Sequence, residues 1–162
     1  MRLPITIGAI LLASLSLNAP VLSAPPVQIV QKSPSNNFNL KQLRINQRLW
    51  NSQQIKNYRY TVTNSCFCIP ELRGPAIVEV RNGNTTSIRN AKTGEPVNSE
   101  LLRPYSTIPR LFNLIRNAIS SREPELTVTY NPQLGYPTQI NIGNLAADAG
   151  IFTTISNFEE LP

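Results

Sequence analysis

The chain has 162 residues, 41% hydrophobic and 15% charged, with fourteen prolines, two cysteines and no histidine. That length suits one domain of ordinary size and leaves no room for a large doubly wound enzyme with a second domain; the composition is neither disordered nor fibrous. The missing histidine removes the usual neutral-pH general base, the Ser/Cys-His dyads and triads and the commonest transition-metal ligand, while the formal net charge of +6 is spread without a dense basic run, so anionic surfaces attract the chain and no nucleic acid is expected as a partner.

Met1-Arg2 followed by an apolar run from Ile5 to Leu17 reads as a secretory signal, with small residues Ser23 and Ala24 at a cleavage region. The apolar run is too short to span a bilayer comfortably. Residues 1–24 are therefore expected to be a signal peptide, the setting secreted or periplasmic, and membrane contact confined to this segment if it stays uncleaved. Removing it takes Arg2 away and leaves about 138 residues at +5. Residues 25–38, interrupted by prolines, read as an extended leader, and a single domain is expected over 39–160.

Residues 39–57 are rich in helix formers, with Leu43 and Trp50 on an apolar side flanked by Ile45 and Leu49. Trp50 reads as a core anchor. Residues 58–68 switch to period two: Tyr58, Tyr60, Val62, Cys66 and Cys68 share one parity, while Arg59, Thr61, Thr63 and Ser65 share the other. Ile69-Pro70 ends the strand, and 71–75 reads as a loop. Residues 76–81 and 85–89 flank Asn82-Gly83-Asn84 as a hairpin with Val78 and Val80 inward, followed by a crossing loop over 90–105. Ser106 or Thr107 caps a helix to about Ser120, with a stripe of Ile108, Leu111, Phe112, Ile115 and Ile119 and Pro109 tolerated in the first turn. A second hairpin joins 125–130 to 136–142, with Pro137 at an edge or in the first residue pair, and 151–158 return as a last strand. The fold class is α+β: a small antiparallel β-sheet with two helices packed on one face. The recurrence of helix followed by strands is a rhythm rather than a sequence repeat.

Cys66-Phe67-Cys68 has a one-residue spacer, and no second pair or histidine completes a tetrahedral metal site. Three readings stay open: a local disulfide that bends the strand, two reduced cysteines, or a redox or transient metal role. Among the few carboxylates, Glu71 and Asp148 lie in loops and can meet across a cleft as a binding or acid/base pair, against the plainer reading of surface charge. No nucleophile elbow or phosphate loop is present, so no cofactor is expected. Asn84-Thr85-Thr86 is formally an N-glycosylation acceptor. Tyr58, Tyr60, Tyr130 and Tyr136, with the threonine- and asparagine-rich strands, are candidates for a polar-aromatic binding surface; the alternative packs their rings against the helices with the hydroxyls at the sheet rim.

Trp50 ahead of Asn57-Tyr-Arg-Tyr60, Cys66-Phe-Cys68, the Pro75 to Val80 stretch followed by Asn82-Gly83, Leu111-Phe112 and above all Tyr130-Asn-Pro-Gln-Leu-Gly-Tyr-Pro137 followed by Ile140-Asn-Ile142 together carry a resemblance. With Ala147-Asp148 and Ile155-Ser-Asn157 they resemble a family of small exported bacterial proteins defined only as a domain of unknown function (DUF6174-like), over roughly residues 40–160. Asn131 departs from that family, where an acidic residue is more frequent, which weakens any cation site there. The resemblance implies domain limits and export, and assigns no activity or catalytic residue. The expected function is a noncatalytic exported module that binds a protein, peptide or envelope component through its sheet or hairpin loops. The alternatives are a thiol/disulfide-active protein using Cys66 and Cys68, and a binder of anionic glycans or the cell surface.

Overall fold

In the computed structural model, residues 35–123, 125–144 and 149–162 are described. The expected signal peptide and most of the leader lie outside them, as does Asp148. Among the described residues no helix is long and apolar enough to cross a membrane.

Helix α1 spans Asn36–Gln53. It begins inside the segment expected to be extended because the Ser35 hydroxyl accepts the Phe38 amide at 3.3 Å, satisfying a donor that the first turn leaves unpaired. It ends before residue 57 because Gln54 turns left-handed at φ 55°. Asn39, Leu43 and Trp50 lie on the buried stripe, and Ile45, expected to flank it, falls off the stripe and is exposed.

Strand β1 (Tyr58–Cys66) alternates inward and outward as its period-two pattern requires. It stops at Cys66, so Cys68 is not a strand residue, and the expected loop contains a short helix, α2 (Pro70–Arg73). Strands β2 (Ala76–Arg81) and β3 (Asn84–Asn90) form the expected hairpin. Asn82 and Gly83 both take positive φ, 51° and 77°, the backbone twist that two-residue hairpin turns favour. Arg103–Tyr105 form a 3-10 turn leading to α3 (Ile108–Ser120), capped by the Thr107 hydroxyl accepting from the Arg110 amide. Strands β4 (Leu126–Tyr130), β5 (Pro137–Ile142) and β6 (Ile151–Glu160) complete the chain. Pro137 opens β5, where its missing amide donor costs little.

The six strands form one antiparallel sheet in the order β3-β2-β1-β6-β5-β4, so the last strand closes against the first, and β3 and β4 are its edges. Both long helices cover one face. Trp50 of α1 stands edge-on to Tyr58, with ring centroids 5.4 Å apart. The first amide of α3, that of Ile108, donates to the Tyr58 hydroxyl at 3.1 Å. The opposite face carries Thr61 and Thr63 opposite Ser156 and Thr154, and the exposed ion pair Arg59–Glu159.

The two helix-plus-three-strand halves do not form a structural repeat. Their lateral orders, β3-β2-β1 and β6-β5-β4, run the same way, whereas antiparallel pairing of β1 with β6 reverses the strand directions. Any rotation that superposed the strands would put the two helices on opposite faces.

Candidate functional site

The tyrosines expected to form a binding surface belong to the core. Tyr58 and Tyr60 are each 1% exposed and Tyr136 is also buried; a ring enclosed by protein presents no contact area to a partner. On β1 the tyrosines point towards the helices and the threonines away from them, so a surface combining the two would need both sides of one strand at once. The Tyr60 hydroxyl donates to the Tyr105 carbonyl at 2.6 Å. Burial pushes the Tyr58 phenol from 10.0 up to about 12, partly offset by the Ile108 amide, and raises those of Tyr60 and Tyr130. Tyr130 is half-buried and stacks on Phe112. Its hydroxyl is buried and has no hydrogen-bond partner among the described residues.

The motif from Tyr130 to Pro137 also serves the fold. The Asn131 side-chain oxygen accepts the Gln133 and Leu134 amides at 3.0 and 2.9 Å, and the Gly135 amide returns to the Asn131 carbonyl at 2.8 Å. A carboxylate at this position would accept the same two amides, so the departure from an acidic residue leaves the turn intact.

Cys66 and Cys68 form a close pair with their sulfurs at bonding distance and Cα atoms 5.3 Å apart. Phe67 between them is 92% exposed, and Ile69 beyond is 51% exposed. Glu71 is exposed on α2; its proposed companion Asp148 lies outside the described residues. Among the described residues no group of three or more Cys, Asp and Glu side chains is placed to hold a metal ion.

A site that the sequence reading did not single out lies beside edge strand β3. The chain returning from the hairpin pairs with only the far end of that edge: the Asn90 amide donates to the Glu95 carbonyl, the Val97 amide donates to the Ile88 carbonyl, and Arg89 and Pro96 form an antiparallel bridge. After Val97 the chain turns away. Residues 84–87 are left facing a cleft of about 690 Å³ whose other wall is the 3-10 turn and the first turn of α3. The Thr85 hydroxyl donates to the Ser106 carbonyl at 2.7 Å, tying β3 to that wall.

Arg89, Arg103 and Arg110 line this cleft, against the single carboxylate of Glu100. Arg110 is held in place by its donation to the Arg103 carbonyl and the Ser106 hydroxyl, at 3.2 and 3.0 Å. Glu100 lies 3.7 Å from Arg103, both side chains well exposed. Among the described residues neither Arg89 nor Arg110 has a carboxylate within salt-bridge distance, whereas Arg59 and Arg81 are paired with Glu159 and Glu79. The cleft therefore concentrates positive charge that its own carboxylate leaves largely unmatched. In the sequence these arginines stand singly at 89, 103 and 110, on a strand, a turn and a helix, and no local pattern links them.

Residues 42–160 match the model of a family of unknown function (DUF6174). No curated protein and no solved structure matches the chain.

Proposed function

The chain belongs to this DUF6174 family of unknown function, and from that premise we propose that it is a noncatalytic module that binds an anionic group of a protein, peptide or envelope component in the cleft beside β3. The observation that carries this reading is a concave site lined by Arg89, Arg103 and Arg110 against one carboxylate, that of Glu100. Guanidinium groups present fixed donor forks that match carboxylates and other oxyanions and do not deprotonate, so they suit recognition better than proton transfer. The basic and apolar amino-terminal segment supports a secreted or periplasmic setting.

A fluorescent acidic peptide titrated by anisotropy tests the reading. Binding is expected to weaken as salt rises, and the double substitution Arg89→Glu with Arg103→Glu is expected to weaken it at least about tenfold while leaving the melting temperature close to that of the parent. Binding indifferent to both salt and substitution would overturn the proposal.

The exposed Phe67 between the paired cysteines supports a second reading, thiol/disulfide exchange at Cys66 and Cys68. Intact mass before and after reduction and alkylation checks it: a pair that cannot be reversibly reduced and labelled does not exchange.

A further inference from the structure

The geometry points to a specific mode of occupancy: we propose that an extended acidic peptide adds to the sheet as a seventh strand along residues 84–87 of β3. This rests on the anion-binding reading of the cleft and goes beyond it, because it assigns the main affinity to backbone pairing and the partner to polypeptide.

An edge strand carries a row of backbone donors and acceptors on its outer side, and sheets are commonly extended there by a peptide. Here the two edges are treated differently. At β4 the buried Asn39 side chain of α1 donates to the Leu126 carbonyl at 3.0 Å, so the helix covers that end of the edge. At β3 the segment 95–97 occupies the outer side of residues 88–90 and then leaves it. Residues 84–87 continue the same edge across a register shift at Thr86, and beside them lies the cleft, crossed by the Thr85–Ser106 hydrogen bond. An incoming strand would take up the line that 95–97 abandon, with a wall of α3 residues on one side, the arrangement in which an added strand gains side-chain pockets as well as a ladder.

The charges are placed to read such a strand. Side chains of an added strand alternate between the two faces of the sheet. Arg103 and Arg110 stand on the helix-covered side, at the 3-10 turn and the start of α3. Arg89 is opposite the exposed Ile77 in register and so belongs to the open face. Acidic residues at alternate positions of the peptide would face Arg103 and Arg110 together, whereas Arg89 lies beside the stretch already paired with Pro96 and its guanidinium donates to the Gly94 carbonyl at 3.2 Å. The volume of about 690 Å³ lies within the range of ligand-holding clefts, roughly 300–1,000 Å³.

The test uses a capped peptide of alternating glutamate and valine, a copy of it N-methylated at alternate amides, and a sulfated heparin-derived oligosaccharide, each titrated into the full chain while amide hydrogen exchange is followed. The expected result is that the plain peptide binds and slows exchange in residues 84–87. The N-methylated copy should bind at least about tenfold more weakly, and the oligosaccharide should leave those amides unprotected. Equal binding of the two peptides, or binding without protection at 84–87, would overturn strand addition while leaving the anion-binding cleft standing. Binding of the oligosaccharide alone would overturn the peptide assignment. If none of the probes binds, the cleft reading fails and strand addition fails with it.

Discussion

Two tyrosines on the same face of the sheet illustrate how differently one residue type behaves when its hydroxyl is satisfied and when it is not. Tyr60 donates to the Tyr105 carbonyl within the core; Tyr130 stacks on Phe112 with its hydroxyl unpartnered among the described residues. Replacing Tyr60 by Phe leaves a buried carbonyl without that partner and is expected to cost about 1–3 kcal/mol, whereas Tyr130→Phe removes an unpaired polar atom and should raise stability by up to about 1 kcal/mol. Denaturant unfolding of the two variants checks this, and equal destabilisation by both would contradict the assignment. A third buried phenol, that of Tyr58, makes stability depend on pH at the alkaline end. Tyr58 is held neutral by burial to about pH 12, while in the unfolded chain it ionises near its ordinary value of 10.0. Its contribution is therefore complete below pH 10 and is lost as pH rises towards 12, amounting to about 2–3 kcal/mol for that shift. Denaturation midpoints should be similar at about pH 8 and about pH 9 and fall clearly by about pH 11; a midpoint unchanged at the highest pH would show that Tyr58 is accessible in the folded chain.

Among the elements, the β4–β5 turn shows how a sequence motif can be recognised before its reason is visible. Gly135 is legible as a position of backbone freedom, and its φ of 80° bears that out. What the sequence conceals is the neighbour: a Cβ at Gly135 would lie 2.5 Å from the Asn46 carbonyl oxygen and 3.0 Å from the Trp50 amide nitrogen, so the turn sits directly on α1. Gly135→Ala combines left-handed strain with a backbone clash and is expected to cost about 2 kcal/mol or more, read from the melting temperature; an unaltered value would mean that the turn and helix do not touch as described. α3 was the most legible element, because cap, first-turn proline and apolar stripe agree in one short segment. The break at Cys66 was harder to read, since alternation continues to Cys68 in sequence although the strand ends two residues earlier. Parity along β1 already separated its tyrosines from its threonines; which side was covered depended on helices placed by tertiary packing.

For the molecule as a whole, hairpins and helices were readable because their signals are local, whereas the order β3-β2-β1-β6-β5-β4 rests on pairing between the first strand and the last. That pairing fixes which strands become edges and thus where the open backbone lies. The cleft was hidden for the same reason. Arg89, Arg103 and Arg110 acquire meaning only after β3, the 3-10 turn and α3 have been brought together, and nothing in their spacing anticipates a shared site. The residues that the sequence did highlight, Trp50 and the tyrosines, build the core that holds those walls in place. The proposed function is therefore a matter of location: it places binding in the cleft beside β3 and gives the buried tyrosines to the core. Backbone amide shifts of the nitrogen-labelled chain, followed as an acidic peptide is added, test this most directly. The account predicts that the largest changes fall in residues 84–89 and 99–110; changes confined to the open face around Thr61, Thr63 and Thr154, or to the tip at Phe67, would contradict it.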